Sequence, residues 1–124
     1  MDERKKKIVI IEDDEHISRI YGMKFTKEGY DTVFVTSGEQ AVEKIASEMP
    51  NLVILDLMMP KRDGFGVLED IKKNPNLSKI PVLVISNLGQ QSDRERATEL
   101  GASDYMIKVN NSMQEVVDKA KSYL

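Results

Sequence analysis

Apolar residues in this chain fall into two kinds of pattern that take turns. Ile8-Val9-Ile10-Ile11, Leu52-Val53-Ile54-Leu55 and Val82-Leu83-Val84-Ile85 are unbroken runs, the pattern of strands buried on both faces. Asp31-Thr32-Val33-Phe34-Val35 and Tyr105-Met106-Ile107 read as a shorter second and fifth strand. Between the runs, apolar positions recur at helical spacing. Ile17, Ile20, Tyr21 and Phe25 lead up to Gly29, the usual residue just past a helix C-terminus. Ala41, Val42, Ile45, Ala46 and Met49 form a second stripe, broken by Pro50-Asn51. Val67, Leu68 and Ile71 form a third, ending at Asn74-Pro75 because the residue before proline is pushed out of helical geometry. The fourth helix, before Gly101, has only Ala97 and Leu100 clearly apolar, so it is expected to be the least firmly docked. Met113, Val116, Val117, Ala120 and Leu124 mark the fifth. Ser37 with Gln40, Ser92 with Glu95 and Ser112 with Glu115 predict capping boxes, and Met23 and Met49 are expected to pack helices.

Five strands alternating with five helices, with no linker or low-complexity segment, predict an α/β fold. It is a doubly wound three-layer sandwich around one parallel sheet with right-handed crossovers. Residues 1–124 then form one domain, with residues 1–6 as a basic lead-in. All strands point the same way, so their C-terminal ends share one edge. Glu12 and Asp13 end the first strand, Asp56 the third, Ser86 the fourth and Lys108 the fifth. Pro60 is expected to stop the pairing after Asp56. In open α/β sheets, that edge is the crevice where ligands bind.

Composition narrows the chemistry. There is no cysteine, so there is no thiolate metal site, catalytic thiol or disulfide framework, and His16 is the lone histidine, expected on a helix surface. Eighteen Lys+Arg against 21 Asp+Glu give a net charge of −3, which argues against a nucleic-acid-binding surface. Arg4-Lys5-Lys6-Lys7 is the single basic run and reads as a solvated lead-in. No apolar run approaches a membrane span and no apolar signal segment follows Met1, so a cytoplasmic protein without membrane association is expected.

The predicted edge gathers three carboxylates, a hydroxyl and an ammonium. Like charges ~4 Å apart repel by about 4 kcal/mol at an effective dielectric near 20, so Glu12, Asp13 and Asp56 together call for a cation. Hard oxygens without imidazole or thiolate suit Mg²⁺, which completes its shell with substrate phosphate, and disfavour zinc. Metal, lysine and hydroxyl around one carboxylate match the needs of phosphoryl transfer, with Asp56 as nucleophile forming an aspartyl-phosphate. Taken singly, Ser86 reads equally well as a turn residue, Tyr105 as a core aromatic and Lys108 as a solvated lysine.

Ile8–Asp14, Leu52–Gly64, Val82–Asn87 and Gly101–Lys108 resemble the receiver domains of two-component response regulators, a chemotaxis-regulator-like family. Four separated motifs occur in order at the correct strand ends, over nearly the whole chain. The resemblance implies a flavodoxin-like sheet of order 2-1-3-4-5. It implies that Asp56 accepts a phosphoryl group from a phosphohistidine of a sensor kinase or histidine phosphotransfer protein. It implies that Asp13 and Asp56 ligate Mg²⁺, that Glu12 acts mainly through a metal-bound water, and that Met58 gives its backbone carbonyl. Lys108 and Ser86 would contact the phosphoryl oxygens, and Ser86 with Tyr105 would form the switch pair. The face of the fourth helix, fifth strand and fifth helix would then change its affinity for a downstream protein target or a second copy. Such a domain assists its own phosphorylation and dephosphorylation rather than turning over a separate substrate.

Two departures from the family pattern stand out. Val109 follows Lys108 where the family usually has proline, so a trans bond and weaker pre-organisation of Lys108 are expected. Met58 and Leu88, two residues beyond Asp56 and Ser86, are apolar and are expected to slow hydrolysis of the aspartyl-phosphate. Competing readings are an aspartate-nucleophile phosphatase, which Met58 disfavours where a second acid is needed, and an FMN carrier, whose phosphate Glu12-Asp13-Asp14 would repel. A receiver acting as a phosphorylation-independent interaction module is a third. No further domain follows the last helix, as in a stand-alone receiver; a piece of a longer regulator would read the same way.

Overall fold

A computed structural model describes residues 5–59 and 63–124. The predicted stop at Pro60 and the first four residues of the basic lead-in lie outside the described residues. Lys5 and Lys6 are exposed and outside regular structure. The chain runs β1 (Lys7–Ile11), α1 (Glu15–Lys27), β2 (Asp31–Val35), α2 (Gly38–Glu48), β3 (Leu52–Asp56), α3 (Gly64–Lys73), β4 (Val82–Ser86), α4 (Gln91–Glu99), β5 (Asp104–Ile107), a short 3-10 turn (Lys108–Asn110) and α5 (Met113–Lys121). All four strand pairings are parallel, in the order β2-β1-β3-β4-β5. No helix among the described residues is long and apolar enough to cross a membrane.

Strand alternation divides the core in two. Ile8, Ile10, Leu52, Ile54, Leu83, Ile85 and Met106 meet Tyr21 and Phe25 of α1 and Val116, Val117 and Ala120 of α5. Val9, Ile11, Val53, Leu55, Val82, Val84 and Tyr105 meet α2, α3 and Ala97 of α4 on the other face. Side chains alternate with a period of two. Carried to the last residues of β3 and β4 and one residue past β1 and β5, that period sends Asp56, Glu12 and Lys108 to the α1/α5 side and Ser86 to the α3/α4 side. The carboxylates and the hydroxyl thus reach one edge from opposite faces of the sheet.

Several local expectations change. Ser112 and Glu115 form the predicted capping box. Ser37 caps α2 instead by accepting from the Glu39 N–H, without the reciprocal bond from Gln40. α4 starts before Ser92, with Gln90 at its N-cap and no side-chain cap, so the predicted Ser92–Glu95 box does not form. Ala46, Met23 and Met49 are exposed rather than packed. Met49 has already left the helix, in a left-handed conformation with φ of 44° that ends α2. α4 buries only Ala97 completely, in keeping with its weak apolar stripe.

Candidate functional site

The first strand hands over three acids with three different tasks. Glu12 is buried, and Asp13 is exposed. Asp14 turns away to cap α1, accepting from the N–H groups of His16 and Ile17 at 2.9 and 3.2 Å. β3 delivers Asp56, also buried, beside Glu12. One carboxylate oxygen each from Glu12, Asp13 and Asp56 lies within 4.8 Å of the others. Asp56 Oδ1 accepts from the Met58 N–H at 3.1 Å, which fixes the carboxylate's orientation. The turn behind it is held by Gly64, whose N–H donates to the Leu57 carbonyl at 2.9 Å. A Cβ at Gly64 would lie 2.4 Å from Leu57 Cα and 2.5 Å from the Asp56 carbonyl oxygen, so only glycine fits.

Lys108 closes the group. Its Nζ donates to Glu12 Oε2 at 2.7 Å and to Asp56 Oδ2 at 3.0 Å. The expectation that Val109 loosens this lysine is overturned. No cis peptide occurs among the described residues. The loop continues as the 3-10 turn, with Asn111 Nδ2 donating to the Ile107 carbonyl at 2.9 Å. Val109 itself is exposed. Burial alone would lower the ammonium's pKa, but its bonds and charge pairing with Glu12 and Asp56 outweigh that and raise it. Burial, helped by the Asp56 charge and opposed by Lys108, pushes the Glu12 carboxyl up to about 7.

Ser86 and Tyr105 meet through the backbone of Leu88. Ser86, fully buried, accepts from the Leu88 N–H at 3.1 Å, and the Tyr105 hydroxyl donates to the Leu88 carbonyl at 2.6 Å. The Tyr105 ring is already inside, under the Arg94 guanidinium at 5.3 Å. Sequence reasoning brought Glu12, Asp13, Asp56, Ser86 and Lys108 to this edge, and the structure does so as well. It missed Asp14 and Asp63 as helix caps, although both stand directly before the helices α1 and α3. It also missed Arg94 and Arg96, whose stacking on Tyr105 and Phe65 joins different elements and leaves no local signal.

Five parallel strands in this order, with acids and a lysine converging on their carboxyl edge, define the flavodoxin-like receiver fold. The family of response regulator receiver domains matches residues 8–121, and the chain belongs to that family. It is the receiver domain of a two-component response regulator, a signalling family rather than a classical enzyme family. The probable transcriptional regulator ycf27 of Cyanophora paradoxa is 42% identical over 108 residues, covering 87% of this chain and 44% of that protein. The BeF3-activated N-terminal receiver domain of Klebsiella pneumoniae RstA has a TM-score of 0.86 at 29% identity, covering 95% of this chain and 97% of that one. The Mn(2+)-bound form of response regulator Rcp1 has a TM-score of 0.78 at 30% identity, covering 95% and 88%. The chain spans less than half the length of the curated relative.

Proposed function

We propose that this domain is a phosphorylation-dependent switch in which Asp56 receives a phosphoryl group from a phosphohistidine of a sensor kinase or histidine phosphotransfer protein. The observation that carries this reading is the Lys108 ammonium set between Glu12 and Asp56, 2.7 and 3.0 Å away, with Asp13 beside them. A lone structural salt bridge would not set a third carboxylate beside the two that share one amine, because each added acid raises the repulsion that must be offset.

The donor set fits a hard divalent cation. Glu12, Asp13 and Asp56 would hold Mg²⁺ with the Met58 carbonyl, and the solved Mn(2+)-bound relative supports a divalent ion. When bound, the cation would neutralise charge on the phosphoryl oxygens. The remaining work falls to the chain. The Met58 N–H and Lys108 orient the Asp56 carboxylate for in-line attack, and Lys108 then pairs with a phosphoryl oxygen. Ser86 would give up the Leu88 N–H and donate its hydroxyl to the phosphoryl group. A contact made only in the phosphorylated state biases the equilibrium toward that state. The Leu88 backbone bonds Ser86 at one end and Tyr105 at the other, so this movement would reach the face of α4, β5 and α5. That face would change its affinity for a downstream protein or a second copy of the chain. The same residues would assist loss of the phosphate, with no separate substrate turned over.

Incubation with an autophosphorylated histidine kinase tests the transfer. Label should move to the wild type and not to Asp56→Asn. Equal labelling of both would reject Asp56 as the acceptor.

A further inference from the structure

A shallow, open cleft of about 540 Å³ adjoins the acid cluster. Its apolar walls include Met58, Phe65 and Leu88, and its charged lining residues among those described are Asp13, Asp63 and Arg96. Asp63 is committed to capping α3, accepting from the Gly66 N–H at 2.9 Å. Asp13 belongs to the acid cluster. Arg96 is the one cation lining the cleft among the described residues, and it makes no ion pair among them. Its guanidinium carbon sits 4.1 Å from the centroid of the buried Phe65 ring. A guanidinium stacked on a ring keeps its edge N–H groups available to a planar or tetrahedral anion. Lys108, by contrast, is occupied by Glu12 and Asp56.

We propose that Arg96, held over the Phe65 ring, is a positioning residue that receives the phosphoryl group of a low-molecular-weight acyl phosphate in this cleft before its transfer to Asp56. The inference rests on the reading of Asp56 as phosphoacceptor. A small acyl phosphate has the two properties the cleft selects, a multiply charged phosphate for the guanidinium and a short carbon chain for the walls at Met58 and Leu88. In the transfer, an Asp56 carboxylate oxygen forms a bond to phosphorus as the bond from phosphorus to the acyl oxygen breaks. The acyl carboxylate leaves with the electron pair, and no proton is exchanged overall. Among the described residues, the charged groups left in the lining without Arg96 would be the carboxylates of Asp13 and Asp63.

The test measures the initial rate of phosphoryl mass gain against acetyl phosphate concentration, in magnesium buffer, for wild type, Arg96→Gln, Arg96→Lys and Asp56→Asn. Arg96→Gln should lower the slope at low donor concentration about fivefold, the scale of one charge-assisted contact at a solvated site, while the limiting rate stays within about twofold. Arg96→Lys should recover part of the slope, and added salt should slow the wild type more than Arg96→Gln. Uptake of beryllium fluoride onto Asp56 should be the same in wild type and both variants, showing that the acceptor site is intact. A slope for Arg96→Gln equal to wild type overturns the proposal, as does a loss that lysine does not relieve and salt does not alter. If Arg96→Gln does not fold, Arg96→Lys decides: a slope equal to wild type overturns the proposal, and a reduced, salt-sensitive one supports it. Wild type that gains no phosphoryl mass, or Asp56→Asn that does, rejects the acceptor reading instead.

Discussion

Lys108 and Asp56, 52 residues apart in the chain, meet at 3.0 Å through Nζ and Oδ2. The same ammonium reaches Glu12, so one cation separates two buried carboxylates. Replacing it by Lys108→Met leaves those acids facing each other. In metal-free buffer the variant should lose about 1–3 kcal/mol of stability. It should bind magnesium several-fold more tightly than wild type, because no ammonium competes for the same oxygens. Urea denaturation with and without magnesium checks both; weaker metal binding by the variant would contradict the arrangement.

Gly64→Ala tests the turn behind Asp56. The added methyl would press on Leu57 Cα and the Asp56 carbonyl, both backbone atoms that cannot swing aside. A loss of about 2 kcal/mol or more is expected, from overpacking against fixed atoms. Because the displaced atoms belong to the strand end that carries Asp56, phosphorylation should slow in the same variant. Wild-type stability would show that the turn relaxes freely.

Met58 and Leu88 line the cleft beside the acids and offer water no side-chain hydrogen bond. Replacing both by polar residues should shorten the lifetime of the aspartyl-phosphate about tenfold, the effect of one hydrogen bond of about 1.4 kcal/mol to the attacking water. The decay of phosphoryl mass after donor removal measures it. An unchanged lifetime would show that these side chains do not govern access.

Asp104 supplies a pH dependence away from the acid cluster. Burial alone would raise its pKa, but the Tyr105 N–H, Lys119 and the Tyr123 hydroxyl together hold it below the ordinary value of 3.8. The native state therefore releases this proton more readily than the unfolded chain does. The stability it contributes is complete above pH 3.8 and is lost as pH falls through the lower native pKa. Asp104→Asn should be less stable than wild type at pH 7, with the difference closing below pH 3.8. A difference that grows on acidification would reverse the sign.

What the sequence revealed depended on how local each signal is. The unbroken runs at Ile8, Leu52 and Val82 announce buried parallel strands, and parallel strands oblige their ends to share an edge. That is why Glu12, Asp13, Asp56, Ser86 and Lys108 could be placed together from pattern alone. The Ser92 capping box failed because α4 begins two residues earlier than a Ser92 cap requires, with Gln90 as N-cap and Gln91 as its first residue, which puts Ser92 inside the first turn. Met23 and Met49 fit a helical stripe by type, but their side chains point outward, and a stripe's edges are set by tertiary packing. Lys108 is held by Glu12 and Asp56, and the loop after it carries a bond from Asn111 to the Ile107 carbonyl that no motif marks. Arg96 on Phe65 is likewise legible only once α3 and α4 lie side by side.

The central claim is that folding makes Asp56 a phosphoryl acceptor. It is tested most directly by the intact mass of wild type and Asp56→Asn after incubation with Mg²⁺ and a small acyl phosphate. The account predicts one phosphoryl mass on the wild type, lost when magnesium is chelated beforehand, and none on the variant. A wild type that stays unmodified with magnesium present, or a variant that gains the same mass, would contradict it.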